Sequence, residues 1–199
     1  MTTVTAPWTT FPMRFSRTRE PWRFSDWTAT TSETCPGSQH SHSPLISDCK
    51  YLTRPLFHCH GLKDLSLADN ELGNVPTAVS SLATLVRLDV SKNVLIDLPE
   101  TIKQCKHLAV IQASVNPLQK IPEGCTQLIS LTELYLNDCL LEYIPANFGR
   151  LAKLKILELR ENSLKSLPKS MERLVSMTRI DLSQNQFTEV WSCSLPLST

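Results

Sequence analysis

The sequence predicts an α/β solenoid: a horseshoe with a concave parallel sheet, short helical or 3-10 segments on the convex side, and a disordered N-terminal tail. Three observations predict it. The stretch Leu154–Pro168 reads L-x-x-L-x-L-x-x-N-x-L-x-x-L-P. Its first position recurs at Leu62, Leu85, Leu108, Leu131, Leu154 and Met177, at one constant interval. Asparagine keeps the same phase at Asn70, Asn93, Asn116, Asn162 and Asn185, with Cys139 in the one departing slot, and proline does so at Pro76, Pro99, Pro122, Pro145 and Pro168. A unit of this length and leucine spacing is the leucine-rich repeat pattern, in which one strand and one return segment make each coil. Six units hold phase without an insertion, which chance apolar periodicity does not do over so long a stretch.

Residues 1–51 precede the array and share none of its period. Trp8, Trp22 and Trp27 lie here, and no tryptophan lies in the repeats; such a composition break marks a boundary. Two readings stay open. One is a disordered tail rich in Ser, Thr and Pro. The other is a segment translated out of frame. Joining the third base of each codon to the first two bases of the next, Asp26–Trp27 must give Leu and Trp27–Thr28 must give Asp. Across Arg17 to Gly37 the shifted frame permits L-x-x-L-x-L-x-x-N-x-I-x-x-L-P, one further repeat with every template position allowed.

The array is expected to occupy residues 52–190. Leu52, Leu56 and Cys59 lie one repeat length before Val75, Val79 and Leu82, so the stretch they span reads as the return segment of a coil without its strand. His58 and His60 flank Cys59, but the spacing matches no standard metal site and no fourth ligand is near, so no metal is expected.

Within a coil the strand alternates core and solvent, as a period of two requires. In the coil that starts at Leu131, Leu134 and Leu136 point inward while Glu133, Tyr135 and Asn137 point to the concave face. The repeated asparagine turns the chain off the strand. Its amide can both donate to and accept from backbone groups that the turn leaves unpaired, so the stacked coils should form a ladder of asparagines. After the L-P step, apolar residues come at intervals of three, as in Val79/Leu82/Leu85 and Phe148/Leu151/Leu154, which suits a short helix or 3-10 turn. Residues 191–199 form an irregular tail. Trp191 stands where proline is expected and no return segment follows. Natural arrays end in a polar cap, so the expectation is a truncation of a longer array.

Composition narrows the function. The net charge is +1 over 199 residues, so no bulk field argues for nucleic acid. None of the seven cysteines forms a C-x-x-C pair. Cys105 and Cys125 fall on core positions and read as reduced packing residues. No cysteine-clustered cap of the extracellular kind is visible, so the chain is read as cytoplasmic. No apolar run is long enough to cross a membrane. No phosphate-binding glycine loop or nucleophile elbow appears. Neither catalysis, a cofactor nor a small-molecule substrate is expected.

Several stretches carry a resemblance. LDVSKN (88–93), ASVNPLQKIPEG (113–124), LYLNDCLLEYIPANFGRL (134–151) and LKILELREN (154–162) resemble the N-terminal repeats of the LAP proteins, the Scribble, Erbin and densin group. NDCLLEYIPANFGRL is most similar to the Erbin and densin branch. The resemblance covers residues 52–190. It implies a fragment of a cytoplasmic scaffold at the basolateral membrane or cell junctions, working in cell polarity through other proteins, with peripheral membrane association. No PDZ domain accompanies it here, so PDZ-dependent partners are not implied. A Ras-pathway repeat scaffold and the regulatory array of a larger kinase or GTPase use the same coil type and stay open.

The candidate protein-binding site is the concave face, because outward strand residues are free of the core and available for recognition. In chain order the candidates are Arg87, Asp89, Lys92, Glu133, Tyr135, Glu158, Arg160, Arg179 and Asp181. Both charge signs surround Tyr135, the one exposed aromatic expected there, and aromatic and arginine anchors carry much of the energy of interfaces.

Overall fold

The computed structural model describes Phe57 and residues 61–188. The expectations for residues 1–51, for the segment holding Leu52, Leu56 and Cys59, for the flanking His58 and His60, and for residues 191–199 lie outside the described residues.

Each coil opens with a strand of three residues: β1 (Asp64–Ser66), β2 (Arg87–Asp89), β3 (Val110–Gln112), β4 (Glu133–Tyr135), β5 (Ile156–Glu158) and β6 (Arg179–Asp181). They form one parallel sheet in sequence order. Every residue pairs with its equivalent one repeat on, Leu65 with Leu88, Leu88 with Ile111, and so to Leu157 with Ile180. The return segments are 3-10 helices: η1 (Thr77–Ser81), η2 (Glu100–Gln104), η3 (Glu123–Gln127), η4 (Phe148–Arg150) and η5 (Lys169–Arg173). Their residue choice explains the tight turn. The carbonyl of the strand-exit proline accepts the N–H three residues on, Pro76 from Val79 at 3.0 Å and Pro99 from Ile102 at 3.0 Å, and apolar side chains spaced by three then share one face.

One continuous core fills the coil. Leu65, Leu88, Ile111, Leu134 and Leu157 form one inward column, and Leu67, Val90, Ala113, Leu136 and Leu159 another, all of them buried. In the last described coil the equivalent Ile180 and Leu182 are only partly buried, since one coil cannot cover its own apolar face. On the convex side the coils approach closely. A Cβ on Gly124 or Gly149 would run into the backbone carbonyl of Glu100 or Ser170. The Glu100 carboxylate accepts the N–H groups of Glu123 (3.1 Å) and Gly124 (2.6 Å) in the next coil.

The asparagines line the strand exits. Asn93 Nδ2 donates to the carbonyls of Leu67, Val90 and Ser91 at 2.9–3.0 Å, and its Oδ1 accepts the Leu72 N–H at 3.0 Å. One side chain thus joins two coils and closes its own turn. Asn116, Asn162 and Asn185 repeat the arrangement. Cys139 does so in part: its thiol reaches the carbonyls of Ala113 and Asn137 at 3.6 and 3.5 Å. It offers no amide oxygen, and the Leu118 N–H bonds instead to Asn116 O at 2.8 Å.

The residue before each ladder position adopts a left-handed conformation: Asp69, Lys92, Val115, Asp138, Glu161 and Gln184 have φ between 52° and 60°. Five of these are unbranched at Cβ. Val115 is not, and a β-branched residue at positive φ is strained against the following carbonyl. Val115→Asn, measured by urea unfolding of dilute protein, should therefore stabilise the chain by about 1 kcal/mol. A loss of stability would mean that the half-exposed isopropyl group is held by packing that outweighs the strain.

Candidate functional site

The sheet register fixes which side chains meet on the concave face. Outward positions fall into two columns across the six strands: Asp64, Arg87, Val110, Glu133, Ile156 and Arg179, then Ser66, Asp89, Gln112, Tyr135, Glu158 and Asp181. Neighbours within a column are about 4.8 Å apart, close enough for side chains of adjoining coils to meet.

Three polar groups result. At β2 and β3, Gln112 bridges Arg87 and Asp89: its amide donates to Asp89 Oδ2 at 2.9 Å and accepts from the Arg87 guanidinium at 3.2 Å. Asp89 also receives the N–H and hydroxyl of Ser91. At β4, the Tyr135 hydroxyl donates to Glu133 Oε2 at 3.0 Å. At β5 and β6, Glu158 is shared, one oxygen held by Arg179 at 3.0 Å and the other by Asn137 Nδ2 at 2.8 Å. Apolar Val110 and Ile156 stand either side of Glu133 in the first column, and both are half-buried.

The electrostatics follow. Burial, and then the hydrogen bond to Glu133, raise the Tyr135 phenol above its ordinary value, so it remains a neutral donor. Hydrogen bonds from the Ser183 hydroxyl and N–H hold Asp181 below the usual carboxylate range. Desolvation pushes the Cys125 thiol up to about 12 and Cys139 to about 11, and raises Cys105 as well. None of these three is a nucleophile at neutral pH. Among the described residues no group of His, Cys, Asp and Glu could hold a metal ion, and no helix is long and apolar enough to cross a membrane.

Seven of the candidate residues stand on the strands: Arg87, Asp89, Glu133, Tyr135, Glu158 and Arg179 are drawn into the three groups above, and Asp181 is held instead by Ser183. Tyr135 is half-buried, not freely exposed, and its hydroxyl is tied to Glu133. Arg160 lies beyond β5 and turns away from them: its Nε donates to Gln184 Oε1 at 2.6 Å, and its guanidinium meets Glu161 at 2.9 Å. Lys92 is off the sheet altogether. Three residues past β2 the chain has already turned left-handed, which carries its side chain to the flank. Charge-led reading passed over Val110, Gln112 and Ile156, and left Asn137, expected on the concave face, out of the candidates. The signal that finds them is the register alone, since each sits one repeat length from a charged or aromatic concave position.

The comparisons with known proteins agree with this geometry. A leucine rich repeat family model matches residues 144–187, and a second one matches residues 130–151. The search of curated proteins returned no match. Solved structures with the same fold include an internalin from Listeria monocytogenes, 21% identical with a TM-score of 0.59, covering 70% of this chain and 39% of that one. The plant peptide hormone receptor RGFR1 in complex with RGF2 is 26% identical with a TM-score of 0.62, covering 71% and 23%. The PEPR1-AtPEP1 structure is 29% identical with a TM-score of 0.63, covering 71% and 20%. The chain thus spans well under half the length of each. The fold is a leucine-rich repeat solenoid, generally a module that binds other proteins or peptides.

Proposed function

We propose that this array is the protein-binding part of a cytoplasmic cell-polarity and junction scaffold of LAP type, and that a partner lies across its concave sheet. The observation that carries the binding reading is the centre of that sheet. Tyr135, Val110 and Ile156 are half-buried around Glu133, whose carboxylate accepts the Tyr135 hydroxyl, while Arg87, Asp89, Glu158 and Arg179 are satisfied in polar groups on either side. Aromatic and aliphatic side chains set among hydrogen-bonded polar groups suit a recognition surface. The plant receptor RGFR1, which shares this fold and is seen in complex with RGF2, supports the same reading. The LAP assignment rests on the wording of residues 113–124 and 134–151, and peripheral attachment at the basolateral membrane comes with it.

The test combines Tyr135→Ala with Ile156→Thr, a pair that removes the aromatic ring and one aliphatic side chain and keeps a β-branched strand residue. Capture of partners by the purified chain from epithelial lysate should fall at least tenfold, with the melting temperature within a few degrees of the parent. Lys106→Glu on the convex side should change neither. If the double variant keeps every partner, binding belongs elsewhere. A tagged chain spread evenly through polarised epithelial cells, rather than enriched at the lateral cortex, would count against the LAP assignment while leaving the binding face intact.

A further inference from the structure

The flank of the solenoid beside the asparagine ladder is unlike the rest of its surface. Val94 (52% exposed), Ile96 (58%), Val115, Leu140 (53%) and Tyr143 are exposed there, and Pro117 lies among them. These residues come from three successive coils, which are stitched together at this edge. The Val94 N–H donates to Leu72 O, Leu140 N–H to Leu118 O and Gln119 N–H to Ile96 O, and Lys120 bridges to Asp97 at 3.1 Å. The repeat register therefore places Val94, Pro117 and Leu140 in one row about 4.8 Å apart. A contiguous apolar patch of this kind marks an interaction surface.

We propose that this flank is a self-association surface, in which two copies of the chain pair face to face about a two-fold axis through Pro117. Such an interface is isologous, so each residue must suit its symmetry mate. The row structure gives those mates directly. The axis exchanges the coil before Pro117 with the coil after it and reverses the order along each coil. Val94 of one copy then meets Leu140 of the other. Lys92 meets Glu142. One coil further out on each side, Asp69 meets Lys165. All four charged residues are exposed, and none belongs to an ion pair among the described residues. No like charges oppose each other at these positions, and because the same axis sets Ile96 beside Asp138, the apolar contact rests on Val94, Pro117 and Leu140. The arrangement also accounts for Lys92 standing on the flank rather than on the sheet.

Five coils span roughly 20 Å at the strand spacing, which is short for a permanent dimer. The expected association is weak, with a micromolar dissociation constant that rises with salt as the four ion pairs are screened. The concave face stays open in the pair, so partner capture and self-association fail independently.

The test is sedimentation equilibrium of the full chain from low to high micromolar concentration. The parent should shift from monomer to dimer. Leu140→Glu should abolish the shift, and Lys92→Glu, which sets two carboxylates face to face, should raise the dissociation constant at least tenfold. Lys92→Glu combined with Glu142→Lys should return it to near the parent value, a rescue that no folding defect produces. Circular dichroism melts confirm that each variant is folded. A parent that stays monomeric throughout overturns the proposal. So does a dimer indifferent to Leu140→Glu, or a charge-reversed pair without rescue.

Discussion

Phe148→Ala should lower the unfolding free energy by about 3–5 kcal/mol, the largest loss expected from a single side chain in this array. Phe148 is fully buried in η4 and is the largest of the enclosed side chains. Its column on the convex side runs Val79, Ile102, Cys125, Phe148, Met171, all buried. The coil before it contributes only a cysteine, so the ring fills volume that its neighbour leaves open. Truncation therefore creates a cavity between coils that no adjacent side chain is large enough to close, and the coils cannot sink together because Gly149 already lies against the Ser170 carbonyl. Urea unfolding followed by circular dichroism measures the loss. Phe187→Ala, at a partly buried site in the last described coil, should cost much less. Equal losses at the two sites would mean that position along the array does not govern packing, contrary to a stack stabilised by nearest neighbours.

Asn162→Ala should cost about 2–4 kcal/mol. The amide oxygen accepts the Leu141 N–H at 3.1 Å, and its two N–H groups are shared among the carbonyls of Leu136 (2.8 Å), Leu159 (3.0 Å) and Arg160 (3.2 Å). Leu141, Leu136 and Leu159 are fully buried and Asn162 is 7% exposed, so water cannot replace what is lost. Asn162→Asp should be no milder, because an ionised carboxylate keeps the acceptor and has no donor. Asn162→Cys should fall between, since Cys139 shows a thiol serving two carbonyls in the same role. Asn185→Ala, at a half-buried site, should lose less than Asn162→Ala. If Asn162→Ala melts like the parent, the turns hold themselves and the ladder is not what locks successive coils.

The fold was legible because a coil is a local pattern repeated. Inward leucines, the turn asparagine and the exit proline each answer a physical demand that arises once per coil, so their recurrence at a constant interval carries the strand order and register without any long-range information. Residue identity also marks the two soft points of the ladder. Pro117 has no N–H to give to the Leu95 carbonyl, where Val94, Leu140, Ser163 and Gln186 each donate to the equivalent carbonyl of the preceding coil, and Cys139 has no amide oxygen.

The concave site was legible only as a set of outward positions. That Lys92 leaves the sheet depends on where the strand stops: β2 covers only Arg87–Asp89 within the L-x-x-L-x-L motif, and by Lys92 the chain has turned left-handed. That Tyr135 is half-buried, that Arg160 turns to Gln184, and that Glu158 serves both Arg179 and Asn137 depend on neighbours 21 to 24 residues away whose side chains meet at the strand spacing. Periodicity in one dimension tells which side of the coil a residue faces. Which partner it finds there is a property of two or three adjacent coils at once, and only stacking brings those coils together.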